Sequence, residues 1–166
     1  MSPEPEIRDL VFTRVFDAPV ERVWKAWTDA EDVKYWWGPD RFTAPLARLE
    51  VRPGGTSLVC MRAPAEFGGQ DMYSTWHYRD VVPLQRLVYL HNLADADGRT
   101  LDPVTLGLPP DFPQDVRNTI TFKALSPTRT ELTVTEHDWP VGQMREMSRL
   151  GMEQCLDKMA RLFAEA

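Results

Sequence analysis

Cysteine is scarce in this chain of 166 residues: it has two, Cys60 and Cys155. They lie far apart, without the close spacing of metal-binding thiolates, so a zinc ribbon is excluded. A pair still permits a disulfide, but two buried or half-buried free thiols are the expectation. Histidine is as sparse, and His77, His91 and His137 are scattered over three strand-like stretches. No metal site is read from them. Long apolar runs are missing as well, and none approaches the roughly 20 residues a bilayer span needs. The opening Met1 to Arg8 carries Pro3, Glu4, Pro5 and Glu6 in place of the apolar stretch of a signal peptide or anchor. Excess positive charge is absent, since 19 basic against 25 acidic side chains give a net charge of −6. A general attraction to nucleic-acid phosphates or anionic membranes is therefore unavailable. A cytoplasmic protein without a nucleic-acid or membrane partner is expected. Catalytic signatures are lacking too: no Gly-rich phosphate loop after a strand, no G-x-S-x-G elbow and no H-E-x-x-H. Pro53-Gly54-Gly55 reads as a turn, and no cofactor is implied.

What the chain does have is 43% apolar residues, enough for one core and too few for two ordinary domains, so residues 1–166 read as a single domain. Asp9 to Phe16, rich in Val, Phe and Thr, predicts a strand. A helix follows, with Asp17 placed to accept from its free amides, Pro19 in the first turn, and Val20, Val23, Trp24 and Trp27 on one face. A second short helix, Glu31 to Trp36, stops at Gly38-Pro39. Six strands are then predicted near Ala44 to Val51, Thr56 to Arg62, Asp71 to Val81, Arg86 to Leu93, Val116 to Ala124 and Thr130 to Glu136. Between the fourth and fifth of these, Ala94 to Asp115 carries Pro103, Pro109, Pro110 and Pro113 and can only be a long surface loop, expected to border a cavity mouth. The last helix runs from roughly Val141 to Ala164, with Met144, Gly151, Met152, Cys155, Met159, Leu162 and Phe163 on one broad side and Gly151 turned to the sheet.

Several segments, in order, carry a resemblance. They are Thr13 to Asp29, centred on Phe16-Asp17-Ala18-Pro19-Val20-Glu21-Arg22-Val23-Trp24; Trp36-Trp37-Gly38-Pro39; Glu50 to Gly55; Tyr78 to Tyr89; and Gly151 to Met159. Together they resemble the branch of the START-like helix-grip superfamily related to the activator of the heat-shock-protein-90 ATPase. The resemblance implies an α+β fold in which a curved antiparallel sheet wraps the long C-terminal helix, with two short helices between the first two strands, and often an internal cavity. The chain departs from its relatives at Met152, where they commonly have Trp, at Ser57, where they often have an aromatic residue, and at Trp76, where Gly is usual. A cavity of different shape is expected.

Alternation along the strands sharpens the choice of lining residues. Trp76 and Tyr78 share the inner face of their strand; Val116, Asn118, Ile120 and Phe122 share that of theirs; Leu132 and Val134 turn Glu136 inward with them. Asn118 and Glu136 are thus polar residues on an apolar face. With Tyr78, Tyr89 and His91 they form a few convergent polar groups in an apolar hollow, which is the make-up of a small-molecule site, or they satisfy backbone groups at strand ends. Trp36 and Trp37 read as a plug fastening the second helix or as a stacking surface. Met144, Met147, Met152 and Met159 serve either as adaptable lining or as core. The candidate cavity residues are Met61, Trp76, Tyr78, Tyr89, His91, Asn118, Ile120, Glu136, Met147, Met152 and Cys155.

The leading functional expectation is a non-enzymatic binder of a small apolar or amphipathic molecule. A co-chaperone-like activator docking on the heat-shock chaperone is the second. A cyclase or hydrolase using Glu136 with His91 or Tyr78 as acid and base is the third. A second copy of the chain, forming a homodimer, is also left open.

Overall fold

A computed structural model describes residues 6–165, so most of the proline-containing opening lies outside the described residues. The elements are β1 (Ile7–Phe16), α1 (Val20–Thr28), α2 (Ala30–Trp36), β2 (Thr43–Arg48), β3 (Thr56–Arg62), β4 (Asp71–Val82), β5 (Arg86–Ala94), β6 (Val116–Ser126), β7 (Arg129–Pro140) and α3 (Gln143–Ala164). The strands form one seven-stranded antiparallel sheet in the order β1-β7-β6-β5-β4-β3-β2, which is the expected α+β helix-grip arrangement. Register shifts in four of its ladders bend the sheet. No described helix is long and apolar enough to cross a membrane.

Alternation decides which face is buried. Along β6, Val116, Asn118, Ile120 and Phe122 are buried while Arg117, Thr121 and Lys123 are exposed. In β7, Leu132, Val134 and Glu136 follow suit. Helices α1 and α2 cover one part of this concave face. Their tryptophans pack on it, with Trp27 against Trp36 at 4.6 Å between centroids and Trp36 stacked over Trp76 at 6.3 Å. The Trp36 indole has its own partner, donating from Nε1 to the Ala26 carbonyl at 2.8 Å.

Capping departs from the sequence reading at Asp17. The chain enters α1 through an extended Pro19 and no side chain caps the helix; Asp17 lies upstream and pairs with Arg129 at 3.2 Å. Asp29 is the capping residue here, accepting from Glu31 N at 2.9 Å and Asp32 N at 3.2 Å to start α2. Strand β7 runs four residues past the predicted end at Glu136, to Pro140. A bulge absorbs the extension: Asp138 takes φ 60° and donates its N–H to Asp9 Oδ1 at 2.9 Å, where the β1 register shifts between Arg8 and Leu10. Strand β2 stops at Arg48, earlier than expected, because the chain folds back at Glu50, whose N–H donates to Ser57 Oγ at 3.1 Å.

Helix α3 buries Met152, Cys155, Leu156, Met159 and Phe163. Lys158, on its flank, donates from Nζ to the carbonyls of Gly38, Pro39 and Phe42 at 2.9, 2.9 and 3.1 Å. These three bonds fasten α3 to the turn after α2. Gly151 lines the space between α3 and the sheet, and a side chain there would meet Pro39 Cγ of that same turn at 3.6 Å. Both cysteines are free and buried.

Candidate functional site

The sheet register lays out the site. Leu87, Ile120, Val134 and Phe12 stand side by side across β5, β6, β7 and β1 as an apolar row. One step toward the far end, Tyr78, Tyr89, Asn118 and Glu136 form a polar row across β4 to β7. A further step brings Trp76, His91 and Val116 into line. Under the apolar row the concave face is packed solid. Beyond it, between the sheet and the first half of α3, a cavity of about 310 Å³ remains.

The long loop closes one side of this cavity, as expected from its prolines. Leu108, Phe112 and Pro113 line the hollow, and Phe112 meets Trp139 edge to face at 5.7 Å. Asn92 anchors the loop end by a reciprocal pair of bonds, donating to Asp115 Oδ1 at 2.9 Å and accepting from Asp115 N at 2.7 Å. The start of the loop turns the other way, with Gly98 lying 4.0 Å from Thr75 by way of a notional side chain.

Eight of the eleven candidate residues come together around the cavity: Met61, Tyr89, His91, Asn118, Glu136, Met147, Met152 and Cys155. Met147 stands at the mouth, 57% exposed. Trp76, Tyr78 and Ile120 face inward but do not reach it. Trp76 is enclosed by Trp36, Trp37 and Tyr89, Tyr78 is held by a 2.9 Å hydroxyl bond to Ser57, and Ile120 is covered in the apolar row. Both tryptophans of the plug belong to the core, and Trp37 also lines the cavity. Trp139 and Ser148 are lining residues that the strand pattern did not give.

Electrostatics follow from burial. Glu136 Oε1 accepts from Trp139 Nε1 at 3.0 Å and from Ser148 Oγ at 3.4 Å. Desolvation outweighs both bonds and pushes its pKa up to about 7. His91 keeps some accessible surface, but this faces the cavity rather than bulk water, and burial pushes its pKa down to about 4. It stays neutral at neutral pH. Burial also raises Tyr89 well above the ordinary range and the Cys155 thiol to about 12, so neither supplies an anion. Glu136 hydrogen-bonds neither His91 nor Tyr78 among the described residues, so the geometry does not pair them as acid and base. Asn118 donates to the Val116 carbonyl at 3.0 Å. Its Oδ1, Glu136 Oε2 and the Tyr89 hydroxyl have no hydrogen-bond partner among the described residues.

The same architecture recurs in bacterial proteins of solved structure. A crystal structure of a Chromobacterium violaceum protein is 27% identical with TM-score 0.75, covering 94% of this chain and 96% of that one. A solution structure of a protein from Arthrobacter aurescens is 23% identical with TM-score 0.77, covering 95% and 87%. The AHSA1 protein of Silicibacter pomeroyi is 19% identical with TM-score 0.71, covering 94% and 97%. No curated protein matches the chain. Residues 17–164, from the Asp17-Ala18-Pro19 turn to the end of α3, match the family model described as Activator of Hsp90 ATPase homolog 1-like protein, and the chain belongs to that family.

Proposed function

We propose that the protein holds a small, largely apolar or amphipathic molecule in the cavity between sheet and α3. Met61, Leu93 and Met152 supply apolar wall, and the polar row of Tyr89, Asn118 and Glu136 supplies the polar end. The observation that carries this reading is a hollow of about 310 Å³ with a largely apolar lining onto which Glu136 Oε2, Asn118 Oδ1 and the Tyr89 hydroxyl open without a protein partner among the described residues. A ligand's polar atoms can pair with them there, and Trp37, in the same lining, has a buried Nε1 donor without a partner among the described residues. Methionine-rich walls suit this role because unbranched thioether chains repack around different shapes. Stability also favours the reading: a hollow left empty forfeits dispersion contacts along its lining.

Native mass spectrometry of protein purified from cells tests this directly. The expected result is a mass increment lost on denaturation, together with uptake of Nile red by extracted protein that the recovered small molecule reverses. A protein free of adduct that also leaves Nile red in water would refute the reading.

A further inference from the structure

The cavity carries an unpaired asymmetry of charge. Among the described residues no lysine or arginine lines it; the titratable groups facing Glu136 are Tyr89 and His91 from β5 and Cys155 from α3. None of them supplies a positive charge at neutral pH, given a histidine held neutral by burial. Lys158, the cation nearest in sequence to the buried face of α3, is spent on the Gly38, Pro39 and Phe42 carbonyls and is turned away. The atoms left free on the polar row among the described residues are the acceptors Glu136 Oε2 and Asn118 Oδ1 and the Tyr89 hydroxyl, which can accept or donate, adjacent in cross-strand register. Directly opposed residues on one face of an antiparallel pair hold their Cβ atoms about 4.5–5.5 Å apart. Three such acceptors can converge on one donor-rich head.

We propose that the cavity selects apolar molecules bearing a protonated amine, whose ammonium donates to Glu136, Asn118 and Tyr89 while its hydrocarbon part lies along the methionine wall. This rests on the binding reading above and names its ligand class. An ammonium has three donors and no acceptor, which matches the free atoms of the row. A carboxylate ligand would meet the Glu136 acid at this row, with the Tyr89 hydroxyl as the free donor there and Trp37 and His91 as donors elsewhere in the lining, and is expected to bind less tightly. The chain's net charge of −6 adds a field of the same sign. The proton balance is simple. Binding requires the Glu136 carboxylate, so below its raised pKa the carboxyl releases one proton to solvent as the ammonium enters.

Decylamine, decanol and decanoic acid share one chain and differ in the head, so calorimetric titration with all three tests the proposal. At about pH 8.5 decylamine is expected to bind about tenfold or more tighter than decanol, the range of a charge-assisted hydrogen bond. That preference should shrink by about tenfold on lowering the pH to about 5.5, while decanol affinity stays level, because only the amine needs the ionised acid. Glu136→Gln should abolish the preference for the amine over the alcohol. The wild-type comparison of heads and pH needs no variant, so it decides the matter even if the variant folds poorly. Equal affinity of amine and alcohol, or preference for decanoic acid, overturns the amine proposal and leaves the cavity reading standing. Failure of all three to bind overturns both.

Discussion

Glu136 and His91 face one cavity from different strands, and the same burial moves their proton affinities in opposite directions. Glu136 rises from an ordinary 4.5 to about 7, so the folded chain keeps a proton that the unfolded chain releases. Its contribution to stability is present below about pH 4.5 and is lost as pH rises through about 7. His91 falls from an ordinary 6.5 to about 4, so the unfolded chain takes up a proton that the fold refuses. That contribution is present above pH 6.5 and is lost as pH falls through about 4. Between pH 4.5 and 6.5 the two slopes oppose each other. Each shift corresponds to up to about 3 kcal/mol across its window. Glu136→Gln should therefore match wild type near pH 4 and exceed it in stability near pH 8, on the order of 3 kcal/mol in urea unfolding. His91→Gln should show the reverse, with its advantage over wild type appearing only at acid pH. Parallel pH profiles for wild type and both variants would mean that neither group is desolvated as the geometry requires.

The elements were largely legible because alternation and helical periodicity act through burial, which residue type records directly. The inward sets on β6 and β7 follow from the pattern of apolar side chains. What escaped was set by single backbone conformations: Asp138 at φ 60° lets β7 continue beyond Glu136, and nothing in the strand propensity of His137, Asp138 or Trp139 announces that. Gly151, within α3, is a different case. Its φ is helical, and a methyl group there would meet Pro39 Cγ at an ordinary 3.6 Å. Gly151→Ala should accordingly stabilise the protein by about 0.5–1 kcal/mol, since it removes backbone freedom from the unfolded chain without a clash. A lowered melting temperature would show that the approach of α3 to the Pro39 turn is closer than 3.6 Å contact allows. The long loop behaves differently, because its Phe112 packs only partly buried against Trp139. Phe112→Ala should cost less stability than the roughly 3–5 kcal/mol of a core phenylalanine, yet speed Nile red release several-fold by opening the wall. Unchanged release kinetics would place the entry route elsewhere.

At the scale of the molecule, one concave face serves two purposes, and the boundary between them explains which site residues could be read from sequence. Period-two alternation says which way a side chain points, but it does not say what stands over it. Trp76, Tyr78 and Ile120 point the same way as Tyr89, Asn118 and Glu136, yet the tryptophans of α1 and α2 and the apolar row enclose the first three. The hollow exists where α3 crosses the face with Met152 and Gly151 rather than larger groups. Trp76 takes up aromatic volume on the sheet, and it is spent against Trp36 and Tyr89, away from the cavity. Met152 lines this hollow from α3, so the size of that side chain bears directly on the room left there. Met152→Trp should direct an indole into the hollow, retain the fold and gain up to about 2 kcal/mol, the range of successful cavity filling. It should also lose Nile red and decylamine uptake together, with circular dichroism unchanged. Retained uptake would mean that ligands bind outside this hollow. Destabilisation by the roughly 1–3 kcal/mol typical of overpacking would instead show that the side chains already fill it, and the cavity between sheet and helix would cease to be the functional feature of the fold.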